Sequence, residues 1–334
     1  MATITLAGSG QVFTCDAHDT ITRAALRSGI GLPYECNTGS CGTCKIELVS
    51  GEIVSRRPDS EALTDRDRAR RRVLGCQAVP QTDCMIKARI DEVPPPIVPA
   101  VQAATLILTA PLTHDMREFR FELRRQSPFL PGQYALLYLD GLGAPRAYSM
   151  SNAGDGTRWD FIVKRVPGGA GSSALFELPI GSTITIDGPY GHAYLRESVE
   201  RDMVCIAGGS GLGPALSIAR GASASPGLAA RRLYFFYGGR GRRDLAGRAD
   251  LEALAPLSGR ADYIPVLSAA ADHGDQDWPG LTGMVHEAVA ATLSQPLSAY
   301  EYYFAGPPAM TLATQRMLLE ERVPLSQLHF DQFF

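Results

Sequence analysis

Apolar and polar positions change rhythm three times along the chain. In residues 1–92 they alternate in short bursts. Thr3–Leu6 and Gln11–Cys15 read as two strands folded around Gly8 and Gly10. Thr20 then caps a short stretch with helical spacing, Ile21–Arg27, which stops at Gly29. A strand at Lys45–Val49, a turn at Ser50–Gly51 and a last strand near Cys84–Ile90 complete a small β-grasp pattern. Asp91–Pro99, DEVPPPIVP, is proline-rich, stiff and extended, which predicts a linker at 93–99. From 100 to 199 short strands recur between glycines and prolines: Ala104–Thr109, Glu118–Leu123, Tyr134–Leu139, Trp159–Val166 and Thr183–Asp187. That spacing predicts an antiparallel β-barrel. From 200 to 334 continuous apolar strands, Met203–Ala207, Leu233–Tyr237, Tyr263–Val266 and Tyr302–Ala305, alternate with helical text. The helices fall at Leu212–Arg220, Asp250–Ala255, Val285–Thr292 and Ala309–Glu320, as in a doubly wound parallel sheet. The expected fold is multidomain, α+β and α/β: a β-grasp, an antiparallel barrel and a doubly wound sheet.

Composition narrows the function. A chain of 334 residues predicts two or three domains. A net charge of −3 is no nucleic-acid footprint. No apolar run approaches a membrane span. The N-terminal MATITLAGSGQVF lacks a basic segment followed by an apolar run. With free thiols, these features lead us to expect a soluble cytoplasmic protein, and a monomer.

Four cysteines carry the strongest chemistry. Cys36, Cys41 and Cys44 stand as Cys-x4-Cys-x2-Cys, and Cys76 follows in LGCQ. This is the plant-type spacing of a 2Fe–2S cluster, in which three thiolates converge from one tight loop. Gly39, Ser40, Gly42 and Thr43 let the backbone wrap the cluster and turn N–H groups to its sulfurs. A thioredoxin-like pair has no use for Cys36 or Cys76. A structural zinc site usually offers two Cys-x2-Cys knuckles, and here there is one. Cys15, Cys84 and Cys205 lie in apolar text and read as small buried hydrophobes. Arg66, Arg68, Arg70, Arg71 and Arg72 crowd a helix before Cys76; they read first as a solvated face, second as a docking patch for an acidic electron acceptor.

Two further constellations suit dinucleotides. Arg146-Ala-Tyr148-Ser149 follows the turn Gly141–Pro145. There Arg146 can pair with a pyrophosphate, Tyr148 can lay its ring on a flavin, and Ser149 can hydrogen-bond flavin N5. Pro131-Gly132-Gln133-Tyr134 and Pro167–Gly169, followed by Ala170-Gly171-Ser172, strengthen the flavin reading over a plain barrel edge. Downstream, Met203–Ala207 runs into Gly208-Gly209-Ser210-Gly211-Leu212-Gly213-Pro214, a glycine turn between strand and helix, where a pyrophosphate binds. Pro214 stands where the Rossmann fingerprint has its third glycine, and no acidic residue follows at ribose-binding distance. The next strand ends instead in Tyr237-Gly238-Gly239-Arg240, and a later one in Phe304-Ala305-Gly306-Pro307-Pro308.

Taken in order, CNTGSCGTC, THDMREFRF, PGQYALL, RAYSM, KRVPGG, GPYGHAYLR, CIAGGSGLGPALSIARGA and AGPPAM resemble the ferredoxin–NAD(P)+ reductase superfamily along nearly the whole chain. More narrowly the chain is similar to iron–sulfur flavoprotein reductases of aromatic-ring-hydroxylating dioxygenases, the naphthalene dioxygenase type in particular. The resemblance implies an N-terminal plant-type ferredoxin domain, an FAD-binding barrel and an NAD-binding α/β domain. It implies that Cys36, Cys41, Cys44 and Cys76 ligate the cluster. It implies that Arg146, Tyr148, Ser149, Val163, Gly169 and Ser172 bind FAD, with Ser149 the catalytic contact and Ser172 at the pyrophosphate. Gly209, Ser210 and Gly211 would hold the nicotinamide dinucleotide, Arg240 its adenosine part, and Gly306, Pro307 and Pro308 would flank the nicotinamide.

The implied activity moves electrons from NADH through FAD and the 2Fe–2S cluster to a ferredoxin or a terminal oxygenase. Two departures stand out: Ala305 where many relatives have Cys, and Asn37 where an Arg often follows the first cluster cysteine. In the terminal HFDQFF, Phe330, Phe333 or Phe334 can cover a flavin face, though a packed terminal strand is the preferred reading. NADPH stays open because Arg240, Arg242 and Arg243 can cradle a 2′-phosphate. Other readings are a reductase of a soluble di-iron monooxygenase or of deoxysugar synthesis, and a non-enzymatic electron carrier.

Overall fold

The N-terminal alternation becomes a sheet. In the computed structural model, which describes residues 1–91, 94–154 and 156–332, seven short strands open the chain: β1 (Ala2–Leu6), β2 (Val12–Cys15), β3 (Lys45–Ser50), β4 (Ile53–Ser55), β5 (Arg72–Leu74), β6 (Ala78–Pro80) and β7 (Cys84–Lys87). Five form one sheet in the order β2-β1-β7-β3-β5, and β4 pairs with β6. Helix α1 (Ile21–Arg27) buries all its residues but Arg27. Ile21, Ala24 and Ala25 pack with Ile4, Leu6, Phe13, Ile46 and Ile86. Thr20 has the extended backbone of an N-cap, yet its hydroxyl makes no cap bond. Helix α2 (Asp65–Ala69) carries the full capping box that α1 lacks, built from Thr64 and Asp67. The arginine run is therefore split between α2 and β5, and the last strand stops at Lys87 rather than Ile90.

Two compact units are present. The first holds residues 1–101, 136–147 and 186–191, and the second holds 102–135, 148–185 and 192–334. The middle strands are β8 (Ala100–Pro111), β9 (Met116–Leu123), β10 (Tyr134–Tyr138), β11 (Arg146–Ser149), β12 (Arg158–Lys164) and β13 (Thr183–Tyr190), with helix α3 (Ala170–Glu177) after β12. They form a six-stranded sheet in the order β11-β10-β13-β8-β9-β12, the barrel-like sheet expected. Alternate residues of β9 and β12 make the packing: Phe121 meets Phe161 edge-on at 6.0 Å, and buried Trp159 meets Phe129, from the segment after β9, at 5.8 Å. The Trp159 indole donates to the Ser127 carbonyl at 2.9 Å, which satisfies its one buried donor.

The remaining strands, β14 (Asp202–Gly208), β15 (Leu233–Gly239), β16 (Ala261–Leu267), β17 (Leu281–Thr282), β18 (Tyr300–Gly306) and β19 (Leu328–Gln332), make a parallel sheet. Its order is β17-β16-β15-β14-β18-β19. Helices α4 (Leu212–Ala224), α5 (Arg248–Glu252), α6 (Val285–Thr292) and α7 (Pro308–Glu320) connect them. Strand β14 feeds both faces. Met203, Cys205 and Ala207 join one core with Leu216 and Phe235, while Val204 and Ile206 join the other with Phe236 and Val289. That two-sided burial is why its text reads as an unbroken apolar run. Strand β19 is the packed terminal strand preferred from sequence. Phe330 stacks on Phe304 with centroids 4.7 Å apart. Phe333 and Phe334 lie outside the described residues. Cys15 and Cys84 sit in the first core and Cys205 in the core of the parallel sheet, as buried hydrophobes. Burial pushes the Cys15 thiol up to about 12.

Candidate functional site

The cysteine loop is shaped to take anionic sulfur. Gly39 and Gly42 take left-handed backbone angles, φ +80° and +78°, as does Asn37 at +53°. The turn points the amides of Thr38 and Cys41 at Cys36 Sγ, at 3.5 and 3.4 Å. Hydrogen bonds from the Cys41 thiol and these amides pull the Cys36 thiol down from its ordinary range. Side chains hold the loop's other polar groups: Arg57 donates to Thr38 O and Ser40 Oγ, both at 2.9 Å, and Ser60 Oγ to Gly39 O at 2.7 Å. Cys44 Sγ and Cys76 Sγ lie 3.2 Å apart and buried. Among the described residues no three His, Cys, Asp or Glu side chains are arranged to hold a metal ion by themselves. The cysteines fall in two pairs instead, Cys36 with Cys41 and Cys44 with Cys76. Two pairs of thiolates with inward amides suit a cluster of two irons.

Of the five arginines near Cys76, three are engaged. Arg68 donates to the carbonyls of Pro58 and Ser60, Arg71 to Val49 O, and Arg72 pairs with Asp67 at 3.0 Å. Arg66 and Arg70 remain exposed.

Strand β11 presents the flavin candidates. The Arg146 guanidinium curls back onto the carbonyls of Ala144 and Pro145, at 2.8 and 3.3 Å. Tyr148 is half-buried. Ser149 is 6% exposed, and its hydroxyl has no partner among the described residues. A buried hydroxyl left unpaired costs about 1–3 kcal/mol, so the Ser149 Oγ is a polar atom that a bound acceptor can satisfy. Val163 is buried on β12. Gly169 caps α3, and Ser172 closes its first turn, donating to Gly169 O and accepting from Val166 N, both at 3.1 Å. Thus the Ser172 hydroxyl shapes the turn, and the backbone N–H groups of the first turn are what α3 can offer a phosphate.

The glycine turn after β14 is tight. Gly209 takes φ +55°. The Tyr237 hydroxyl donates to its carbonyl at 3.1 Å. A Cβ on Gly209 would meet nothing nearer than Lys164 Cδ at 3.6 Å, so the turn leaves an open cradle there. At Gly211 a Cβ would lie 2.0 Å from the Ala305 carbonyl oxygen. The turn and the end of β18, Ala305-Gly306, therefore touch backbone to backbone just before Pro307 and Pro308, with Ala305 opposite Ala207 in the ladder. Gly211→Ala is expected to cost about 1–3 kcal/mol of stability by overpacking, and to raise KM for NADH more than it lowers kcat. Thermal melting and steady-state kinetics read both.

Sequence inspection missed three groups here. Lys164 pairs with Asp115 at 3.0 Å, and His114 lies between Asp115 and Asp244 at 3.5 and 3.8 Å. Asp244 accepts the amides of Arg240 and Gly241, both at 3.0 Å, which orders the loop after β15. Ser217, fully buried on α4, accepts from Gly132 N at 3.0 Å and donates to Asn152 O at 2.7 Å. Their positions are far apart in sequence, and no local pattern announces them.

Family comparisons agree with this geometry. Residues 4–81 match the 2Fe-2S iron-sulfur cluster binding domain, 103–194 the oxidoreductase FAD-binding domain and 205–316 the oxidoreductase NAD-binding domain. The ferredoxin–NAD(P)(+) reductase CarAd of Metapseudomonas resinovorans is 39% identical, over 96% of each chain. The ferredoxin–NAD(+) reductase component of the alkene monooxygenase system of Xanthobacter autotrophicus is 36% identical, over 97% of this chain and 98% of that one. A solved ferredoxin reductase in carbazole 1,9a-dioxygenase superposes with a TM-score of 0.90 at 35% identity, covering 100% of this chain and 98% of that one. The chain belongs to the ferredoxin–NAD(P)+ reductase family, in its iron–sulfur flavoprotein branch. It is an oxidoreductase that uses a 2Fe–2S cluster, FAD and a nicotinamide dinucleotide, as the motif order led us to expect. Among the described residues no helix is long and apolar enough to cross a membrane.

Proposed function

We propose that the chain is the NADH-dependent reductase of a Rieske-type aromatic-ring-hydroxylating dioxygenase system, passing electrons to a ferredoxin or to the terminal oxygenase. The full-length likeness to a ferredoxin reductase in carbazole 1,9a-dioxygenase carries this reading. We divide the chain into a ferredoxin domain at 1–92, a linker at 93–99, an FAD domain at 100–199 and an NAD domain at 200–334. Cys36, Cys41, Cys44 and Cys76 hold the cluster. FAD bound there would supply the switch between two-electron and one-electron chemistry that joins a nicotinamide to an iron–sulfur cluster. Around it, half-buried Tyr148 would offer a ring face, Ser149 a hydroxyl, and Gly169 and Ser172 a turn that bares backbone amides, with the Val163 side chain packed in the core behind β12. Arg146 supplies charge for the pyrophosphate. Gly209, Ser210 and Gly211 receive the dinucleotide phosphates, Arg240 the adenosine end, and Gly306, Pro307 and Pro308 hold the nicotinamide edge. None of the seven cysteines is in a disulfide, which supports a reducing, cytoplasmic setting. The reading is tested by supplying electrons from NADH through the purified protein to a Rieske-type oxygenase and, separately, to a di-iron hydroxylase, and measuring hydroxylated product. The likeness to an alkene monooxygenase component favours the second acceptor; product from that arm alone overturns the first.

NADH is the preferred donor in this reading. Arg242 is held by Asp277 at 2.9 Å and by Asp275 at 3.8 Å, and lies over the Trp278 ring at 5.5 Å. Its charge is answered within the loop, which weakens the loop's hold on a 2′-phosphate. kcat/KM for NADH should exceed that for NADPH by about tenfold or more, roughly 1.4 kcal/mol of discrimination. Asp275→Ala/Asp277→Ala should narrow the ratio. An unchanged ratio in that double variant removes the charge argument.

A further inference from the structure

Arg23 is an unusual residue for its place. Helix α1 puts it on the buried face, where it is 1% exposed. A guanidinium does not deprotonate in a protein, so the charge stays. Burying a cation without a counter-charge is among the costliest things a fold can do. Yet among the described residues no carboxylate lies within ion-pairing distance of Arg23. The two acids near α1, Asp19 and Asp187, both bond to Arg27, at 2.8 and 2.6 Å, and Asp187 acts on Arg23 only from beyond ion-pairing distance.

Arg23 is aimed elsewhere. Its Nη1 donates to the Tyr138 hydroxyl at 2.9 Å and its Nη2 to the Asn37 carbonyl at 3.2 Å. Its Nε has no hydrogen-bond partner among the described residues. Asn37 directly follows Cys36. Its carbonyl also accepts from Gln77 Nε2 at 3.1 Å, and the same Nε2 lies 3.4 Å from Cys76 Sγ. A chain of buried polar groups thus runs from the guanidinium to two of the four cysteines. Two ferric ions, two sulfides and four thiolates sum to a net negative charge, and one added electron deepens it.

We propose that Arg23 is a built-in counter-charge of the two-iron cluster, a positioning residue that raises its reduction potential by favouring the more negative, reduced state. This rests on the cysteine assignment proposed above. It also gives Asn37 a context: the positive charge comes from α1, behind the loop.

The test is a redox titration followed by EPR on the full chain loaded with cluster and flavin. Arg23→Met should lower the equilibrium constant for one-electron reduction of the cluster by about tenfold or more, a fall of about 59 mV for one electron. Arg23→Lys, which keeps the charge, should recover most of that shift. Tyr138→Phe should move the potential far less than Arg23→Met. An unshifted potential in Arg23→Met with a normal two-iron signal overturns the proposal. Absence of that signal from the unaltered protein would instead overturn the cysteine assignment. Should Arg23→Met fail to hold a cluster, thermal melting after iron chelation decides. The chelated variant should melt higher than the chelated unaltered protein, since the bare cation then lacks its counter-charge. The opposite order sinks the proposal.

Discussion

Cys76→Ser should abolish reduction of one-electron protein acceptors while leaving the front of the relay running. Cytochrome c reduction is expected to fall by more than about a hundredfold, since even partners one shell further out cost 10–100-fold in metal affinity. NADH oxidation by ferricyanide, which takes electrons from the flavin directly, should stay within about twofold, an estimate that follows from the Cys76 side chain bonding, among the described residues, to Cys44 and Gln77. The two-iron EPR signal should be lost. The logic is local. Cys76 is fully buried, and among the described residues its sulfur accepts from the Cys44 thiol at 3.2 Å and from Gln77 Nε2 at 3.4 Å. Serine keeps the volume but not the soft thiolate that iron prefers. Parallel losses of both activities would mean that the cysteine pairs support the whole chain and not one cofactor.

Ser149→Ala is the second large effect. The hydroxyl is buried and unpaired among the described residues, at the end of β11. If it meets the flavin ring, removing it takes away a donor aimed at a reacting centre, a loss of about 10²–10³-fold in rate where such donors have been deleted. Flavin reduction by NADH, followed by stopped-flow bleaching, should slow by that order, with little change in KM. Stability gives an independent reading. Stripped of flavin, Ser149→Ala should be at least as stable as the unaltered chain, because it no longer buries an orphan hydroxyl. With flavin bound the order should reverse. Equal bleaching rates would remove Ser149 from the chemistry.

What could be read in the sequence was what neighbours in the chain decide. The cysteine loop, the glycine turn and helix Val285–Thr292 are short-range patterns, and each is found where expected. Long strands such as β14 announced themselves because burial on both faces leaves no polar position. Strands β4, β5 and β6 did not, since three residues are too few to show a period. Helix α3 hid within a glycine- and serine-rich stretch that read as a phosphate loop. The helical spacing of Ile21–Arg27 gives no sign that Arg23 is buried, and its partner Tyr138 stands 115 residues away. The same holds for the ion cluster of His114, Asp115, Lys164 and Asp244, whose members meet only after β9, β12 and β15 are in place.

Ser217 carries a consequence for how such a sequence can drift. One small hydroxyl serves both as acceptor for Gly132 and as donor to Asn152, in a spot with no solvent access. Alanine would strand two backbone groups there, and a larger side chain would collide with packed neighbours. Aliphatic residues around it can trade places over generations at little cost. The helix and the two loops it fastens have to be inherited as a set.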